Sequence, residues 1–106
     1  MIKAKFNSSD NLITGFSLTG HADSDEYGHD IVCAAASVLV ITTVNNLSRV
    51  AGIDPVVHQD EKNGGYIKVS VNDADVNNVK VQTLLLSLQN GIIDLSNEYS
   101  DFVKLK

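Results

Sequence analysis

The sequence predicts an α+β domain, in which two helices pack on one face of a mainly antiparallel sheet of four to five strands, in the order ββαββα(β). Three segments alternate apolar and polar residues, a fourth follows the only proline, Pro55, and turn-forming sequences join the four into two pairs. Two longer segments, near residues 31–50 and 75–90, carry helical apolar patterns. The chain has 106 residues and 43% hydrophobic content, which predicts a single domain, residues 1–106, around one core.

Period-two alternation locates the predicted strands. The first hairpin comprises residues 2–6 and 12–18 around a Ser-Ser-Asp-Asn turn, and it ends at Gly20 and His21. The second hairpin turns at Asn63-Gly64-Gly65, a sequence that supplies positive φ without steric cost. Its strands, and a possible last strand, are predicted at residues 56–59, 66–71 and 103–105.

Capping residues set the expected bounds of the helices. Asp30 is a favourable N-cap for the first helix, which Gly52 ends. Asp73 or Asp75 is expected to cap the second helix, and Gly91 to end it, with residues 92–97 either continuing or restarting it. The first helix is apolar on nearly all sides and needs more cover than a small sheet provides, so we expect a homodimer.

Composition narrows the classes of function. The formal net charge is −5, and the basic residues are scattered, which argues against a direct nucleic-acid partner. Ser37 interrupts the longest apolar run, residues 31–41, which is shorter than the ~20 residues that span a bilayer. The first six residues alternate in polarity, unlike a secretory signal. These features predict a cytoplasmic protein without a membrane partner.

The unusual chemistry lies in residues 20–37, which contain the single cysteine, Cys33, and two of the three histidines. Cys33 is expected in the first turn of the first helix, where free N–H groups and the helix dipole favour a thiolate. The same N–H groups are candidates for an oxyanion hole, and His21 is a candidate base. This combination suits nucleophilic catalysis.

Other interpretations of these residues stay open on spacing alone. A lone cysteine in an apolar helix is usually packed in the core, and a non-enzymatic adaptor would need no more than that. His29 competes with His21 as a base. A metal-binding module would use both histidines and Cys33 with His58 or an acid, although closed zinc sites typically show tight ligand pairs that are absent from this sequence. We therefore predict no metal and no other cofactor.

Two sequence blocks resemble a known family. Gly20-His21-Ala22, followed by Gly28-x-Asp30-Ile31-Val32-Cys33-Ala34-Ala35-x-Ser37, is similar in order and spacing to the signature of the ribosomal-processing cysteine protease family, called Prp. The similarity extends through Asn63-Gly64-Gly65, residues 82–89 and Glu98-Tyr99, which are less specific.

The resemblance implies a cysteine endopeptidase that removes a short N-terminal extension from a large-subunit ribosomal protein. The partner would be the ribosomal protein precursor. The family's nucleophile corresponds to Cys33 and its histidine to His21. With this resemblance, the Cys–His pair is our predicted site.

Residues around this pair have supporting roles in the prediction. Asp30 either caps the helix or also orients His21 or gates the thiol. Gly20 and Gly28 are expected as hinges of the intervening loop, as simple turn residues, or as both. We expect the loop acids to attract basic residues of the substrate, and Tyr27 and Phe16 to be either subsite residues or ordinary packing. The predicted substrate loop is Asp23, Asp25, Glu26 and Tyr27.

Overall fold

The computed structural model describes residues 1–20, 27–60 and 65–106, with only the backbone described for residues 27–30. A five-stranded sheet has the strand order β3-β4-β2-β1-β5. Neighbouring strands are antiparallel except β1 and β5, which are parallel. The elements are β1 (Ile2–Ser9), β2 (Leu12–Thr19), α1 (Tyr27–Arg49), β3 (Val56–Asp60), β4 (Tyr66–Ser70), α2 (Val79–Glu98) and β5 (Val103–Leu105). This confirms the predicted α+β class and the element order.

The first hairpin turns at only two residues, Asp10 and Asn11, with φ values of 52° and 67°. Asn and Asp tolerate this left-handed conformation better than other non-glycine residues, which explains their place in a tight turn. The register shifts between Asn7 and Ser8, so a bulge bends the hairpin. The predicted turn at residues 8–11 was therefore two residues too long.

The second helix differs from the prediction at both ends. Asn78 is its N-cap, and the Asn78 Oδ1 accepts from the N–H groups of Lys80 at 2.9 Å and Val81 at 3.3 Å. The predicted caps lie instead in a separate short 3-10 helix, Asp73–Asp75. Gly91 does not end α2, which continues to Glu98, so the predicted alternative of a helix continuing through residues 92–97 is confirmed.

Gly91 has a packing role instead. A Cβ at this position would lie 3.3 Å from the Leu39 side chain of α1. The glycine therefore marks where the two helices approach closely, and the prediction mistook this packing residue for a helix stop.

The end of α1 follows the prediction. Gly52 has a φ of 71°. Its N–H donates to the Ser48 carbonyl at 3.1 Å, and the Ile53 N–H donates to the Leu47 carbonyl at 3.0 Å. This bonding satisfies carbonyl groups at the helix end, and the buried Ile53 anchors the chain to the core.

The segment Ile31–Arg49 of α1 is long and apolar enough to cross a membrane by length and composition, with a mean hydropathy of 1.7. In this fold, one side of the segment packs in the core. Val32, Ala36, Val40 and Leu47 are all at most 3% exposed, and they belong to the same core cluster as the inner residues of the sheet. The opposite side of α1 is apolar and exposed.

Candidate active site

Gly20 fixes the point at which the chain leaves β2, immediately before His21. Its φ is 83°, and its N–H donates to the Gly65 carbonyl at 2.9 Å. A Cβ at Gly20 would collide with the Met1 carbonyl oxygen. Only glycine fits both the backbone conformation and this contact, so the role of Gly20 is to set the direction of the chain rather than to act as a free hinge.

Cys33 lies in the second turn of α1, because the helix begins at Tyr27 and not after Asp30. The prediction of a first-turn cysteine is therefore wrong. Free N–H groups are confined to the first four residues of a helix, and the effect of the dipole falls off within one turn. The helix terminus thus no longer provides the expected activation of the thiol or the expected oxyanion donors.

The burial of Cys33 is intermediate, and it packs against the core cluster without joining its fully buried members. Its neighbour Val32 is fully buried, and Ile31 on the other side is 45% exposed. The helix therefore carries Cys33 at the boundary between the core and the surface. Cys33 is therefore only partly buried, and it packs against the core.

The structure describes only some of the other predicted site residues. His21, Asp23, Asp25 and Glu26 lie outside the described residues. The backbone of Tyr27, Gly28 and Asp30 belongs to the first turn of α1, so Gly28 is not in a loop and Asp30 is not the N-cap. An aspartate is favourable both at an N-cap and in the first turn, so the sequence alone did not separate these positions.

The metal-binding alternative loses His58 as a fourth ligand. His58 pairs with Lys68 in the β3–β4 ladder, whereas its neighbours Val57 and Gln59 line a groove beneath α1. Successive side chains of a strand point to opposite faces, so His58 lies on the face of the sheet away from Cys33. Among residues 1–20, 31–60 and 65–106, no three His, Cys, Asp or Glu side chains form a possible metal site.

Phe16 is a core residue and not a subsite. It is fully buried, and its ring lies 5.7 Å from that of Phe6 at an interplanar angle of 32°. The alternating pattern of β2 already placed it on the inner face, and the structure decides between the two interpretations in favour of packing.

The sequence reasoning missed an apolar groove between α1 and the β3–β4 hairpin. The signal was present, because α1 has more apolar positions than the core can bury and β3 begins with two adjacent valines. The six residues that line the groove are Ile41, Val44, Asn45, Val57, Gln59 and Ile67.

Comparisons with known proteins give the class of this fold and site. The family model described as "Cysteine protease Prp" matches residues 1–104. A protein of Staphylococcus aureus named "Ribosomal processing cysteine protease Prp" is 33% identical over 93 residues, which are 88% of this chain and 85% of that protein. The fold is thus that of a family of cysteine proteases. The chain belongs to the Prp family.

Solved structures agree over the whole chain. A crystal structure of a Streptococcus mutans protein has a TM-score of 0.94 and 38% identity, covering 100% of this chain and 92% of that one. The S. aureus Prp protease in complex with a substrate peptide has a TM-score of 0.90 and 30% identity, covering 100% of this chain and 98% of that one. The arrangement of helices and sheet described above is therefore the one on which that protease holds a peptide.

Proposed function

We propose that Cys33 is the nucleophile of a ribosomal-protein-processing endopeptidase. One observation carries this assignment: the chain belongs to a family of cysteine proteases and contains a single cysteine. Its position at the boundary of the core supports the role, because a nucleophile must be reachable by the substrate and Cys33 is not fully buried. The alternative of a packed, inert Cys33 would leave a cysteine protease without a thiol.

We propose His21 as the general base and acid. Of the other two histidines, His58 lies on the far face of the sheet. His29 is four residues before Cys33 in α1, so the choice of His21 over His29 rests on the family signature. Gly20 supports His21 because its constrained backbone sets the start of the segment that carries the imidazole. Asp30 is proposed to orient the imidazole, since its place inside α1 removes the capping role.

The proposed reaction has two steps. The Cys33 thiolate attacks the scissile carbonyl carbon, and His21 donates a proton to the nitrogen of the leaving amine as the peptide bond breaks. Water then attacks the resulting thioester while His21 accepts its proton. The thiolate leaves, and the new carboxyl terminus is released.

The proposed substrate is the precursor of a large-subunit ribosomal protein with a short N-terminal extension. The S. aureus relative is named for ribosomal processing, and its structures hold a substrate peptide and, in another case, a covalently linked product peptide. Ribosomes assemble in the bacterial cytoplasm, so we place the activity there.

The decisive experiment incubates the full-length precursor with Cys33→Ala, Cys33→Ser and His21→Ala variants and scores the products by mass. We expect loss of cleavage by at least about a thousandfold for each, because the two groups act as a unit. His29→Ala and His58→Ala are the matched controls and should keep most activity. Cleavage that survives Cys33→Ala would refute the assignment.

The loop acids Asp23, Asp25 and Glu26 are proposed to attract basic residues on the leaving side of the substrate. Replacing all three with the corresponding amides should lower kcat/KM mainly at low ionic strength, because screening removes the attraction in any case at high salt. A salt-independent change would contradict this role. Tyr27 and Gly28 are proposed to shape the same segment.

We also propose a homodimer formed through the exposed apolar face of α1. Ile31 and Val38 are 45% and 64% exposed, and both lie on the side of the helix opposite the core. Val38→Lys should lower the sedimentation coefficient from the dimer to the monomer value. Val79→Lys, at a 79% exposed position of α2, is the control that should leave it unchanged.

A further inference from the structure

The face of the sheet that points away from the helices is basic, although the chain as a whole is acidic. The five strands contain a single acidic residue, Asp60, at the end of the edge strand β3. Alternate side chains of a strand point to opposite faces, and every lysine in a strand is next to a buried core residue, so these lysines point away from the helices. All four are exposed: Lys3, Lys5, Lys68 and Lys104. The expectation of no nucleic-acid partner rested on the scatter of basic residues along the sequence, whereas the fold gathers these four on one face.

The positive charge is concentrated at the β1–β5 edge of the sheet. Lys3 of β1 pairs directly with Lys104 of β5. The Lys106 N–H donates to the Ala4 carbonyl at 2.8 Å, so the chain continues beside β1 and Lys106 comes level with Lys5. Neighbouring strands lie about 4.8 Å apart, and alternate residues of one strand lie about 6.7 Å apart. The backbone therefore holds these four lysines, which we call the lysine cluster, at the corners of a small rectangle.

Folding alone does not explain the lysine cluster. Like charges directly opposite one another destabilise a sheet. Lysines at a sheet edge can prevent other chains from pairing there, which accounts for Lys104 and Lys106. It does not account for Lys3 and Lys5, because β1 lies between β2 and β5. A bound polyanion would offset the repulsion among all four side chains.

A row of side chains crosses the sheet from the lysine cluster to an aromatic ring. Lys3 pairs with Thr19 of β2, and Thr19 pairs with Tyr66 of β4. The side chain of Tyr66 is 37% exposed. One strand separates β1 from β4, so the backbones of Lys3 and Tyr66 lie about 10 Å apart.

The next row of the same face is also polar. Lys5 pairs with Ser17 of β2, which pairs in turn with Lys68 of β4. Lys68 pairs with the exposed His58 of β3. Lysines bind phosphates, hydroxyl side chains can hydrogen-bond to the 2′-hydroxyl of RNA, and tyrosine and histidine rings stack on bases. All three kinds of group thus lie together on this face.

We propose that the outer face of the sheet binds single-stranded RNA, with phosphates on the lysine cluster and a base stacked on Tyr66. The open face of a sheet suits the splayed bases of a single strand better than the groove of a duplex. Cys33 lies on α1, on the other side of the sheet, so RNA and a peptide substrate would occupy different surfaces. The proposal goes beyond the protease function and does not depend on it.

The test measures binding of a fluorescently labelled oligouridylate of about 12 nucleotides to the full chain by anisotropy. Contacts from four lysines to phosphates predict a slope of about −3 for the logarithm of the binding constant against the logarithm of salt concentration. Affinity should therefore fall about 50-fold between ~50 mM and ~200 mM salt. No binding at the lower salt concentration would overturn the proposal.

Charge variants locate the binding face. The double variant Lys3→Gln/Lys104→Gln should weaken binding at low salt by at least about tenfold and reduce the slope by about half. It should not lower the urea midpoint, because it removes two opposed like charges. Arg49→Gln/Lys80→Gln is the matched control, since it removes the same charge from exposed positions on the helices and should keep the slope. Equal losses in the two double variants would overturn the assignment to the sheet.

A third variant and three further probes separate RNA from other anions. Tyr66→Val removes the ring but keeps a strand-forming residue, and it should weaken RNA binding about tenfold without changing the slope. Polyglutamate represents an acidic protein partner, and vesicles of phosphatidylglycerol represent a membrane. Affinity for either that matches the affinity for RNA would overturn the proposal. So would equal affinity for an oligodeoxyuridylate of the same length, because RNA is then not preferred.

Discussion

The two helices pack on the same face of one sheet but use their surfaces differently. In α2 the buried residues Val81, Leu85, Leu88 and Ile92 follow spacings of four and three, which form a single apolar stripe. In α1 the buried stripe is accompanied by exposed Ile31, Val38 and Ile41 on other sides.

The difference extends to the termini and the polar contacts. Asn78 caps α2, and Gln82 in its first turns fastens it to β2: the Gln82 Oε1 accepts from the Ile13 N–H, and its Nε2 donates to the Ile13 carbonyl, each at 2.9 Å. The same Nε2 donates to the Val76 carbonyl at 2.9 Å. By contrast, α1 begins in the polar segment that carries the family signature.

This contrast separates stability from function. The buried stripe of α2 and its bonded Asn78 and Gln82 serve folding, and α2 also exposes the apolar residues Val79, Leu86 and Ile93. α1 has more apolar residues than the core buries. The exposed ones, Ile31, Val38 and Ile41, lie on the helix that carries Cys33. We infer that α1 is the working helix and α2 the supporting one, and four measurements by urea unfolding test this division.

The largest expected effect is in the core stripe of α2. Leu85→Ala should lower the free energy of unfolding by about 2–5 kcal/mol, since a fully buried leucine leaves a cavity. Its neighbour Leu86 is 49% exposed, and Leu86→Ala should cost less than about 1 kcal/mol. Equal costs for the two would break the assignment of α2 as a one-sided supporting helix.

The next effect concerns the polar anchor of α2. Gln82→Ala should cost about 1–3 kcal/mol, because it leaves the N–H and carbonyl groups of Ile13 without their partner in a partly buried place. Gln89, two turns later on the same helix and similarly half-buried, is the control, and Gln89→Ala should cost about 0.5 kcal/mol. A Gln82→Ala cost no larger than that would show that the anchor is dispensable.

The helix cap ranks third. Asn78→Ala should lower the free energy of unfolding by about 1 kcal/mol, since the free N–H groups of Lys80 and Val81 lose their acceptor. Asn77→Ala alters an exposed residue just before the cap and should change stability by less than about 0.5 kcal/mol. If both variants unfold alike, the cap does not define the start of α2.

The smallest effect is expected on the working helix. Val38→Ser should change the free energy of unfolding by less than about 0.5 kcal/mol at low protein concentration, because Val38 is 64% exposed in one copy of the chain. A cost that grows with protein concentration would indicate that Val38 lies in a dimer interface of α1, because dimer formation stabilises the folded chain by mass action. A large cost at every concentration would instead mean that this face belongs to the core.

The elements were predictable wherever local pattern and packing agree. Alternation located four of the five strands, Pro55 marked the start of β3, and Gly52 correctly marked the end of α1. Asp73, Asp75 and Gly91 misled because caps and glycines also serve turns and close helix contacts. The contact between Gly91 and Leu39 joins residues 52 positions apart, so it cannot be read from neighbouring residues.

The two sequence blocks that carry the site could be located in the sequence. The positions of their residues in the folded structure were less predictable. The spacing of Gly20, His21 and Cys33 led to the family, and the family model confirms it. The position of Cys33 in the helix was wrong, because residues 27–30 contain weak helix formers that join α1 only in the folded chain. The groove depends on β3 and β4 meeting α1, which no local pattern encodes.

Gly20 and Gly52 have similar positive φ values, yet their surroundings differ. No described atom lies within 4 Å of a Cβ at Gly52, whereas the Met1 carbonyl blocks one at Gly20. Asparagine adopts positive φ at moderate cost, so a library of all amino acids at position 52 should return both glycine and asparagine among active clones. The same library at position 20 should return glycine alone, because a side chain there meets both an unfavourable φ and the Met1 backbone.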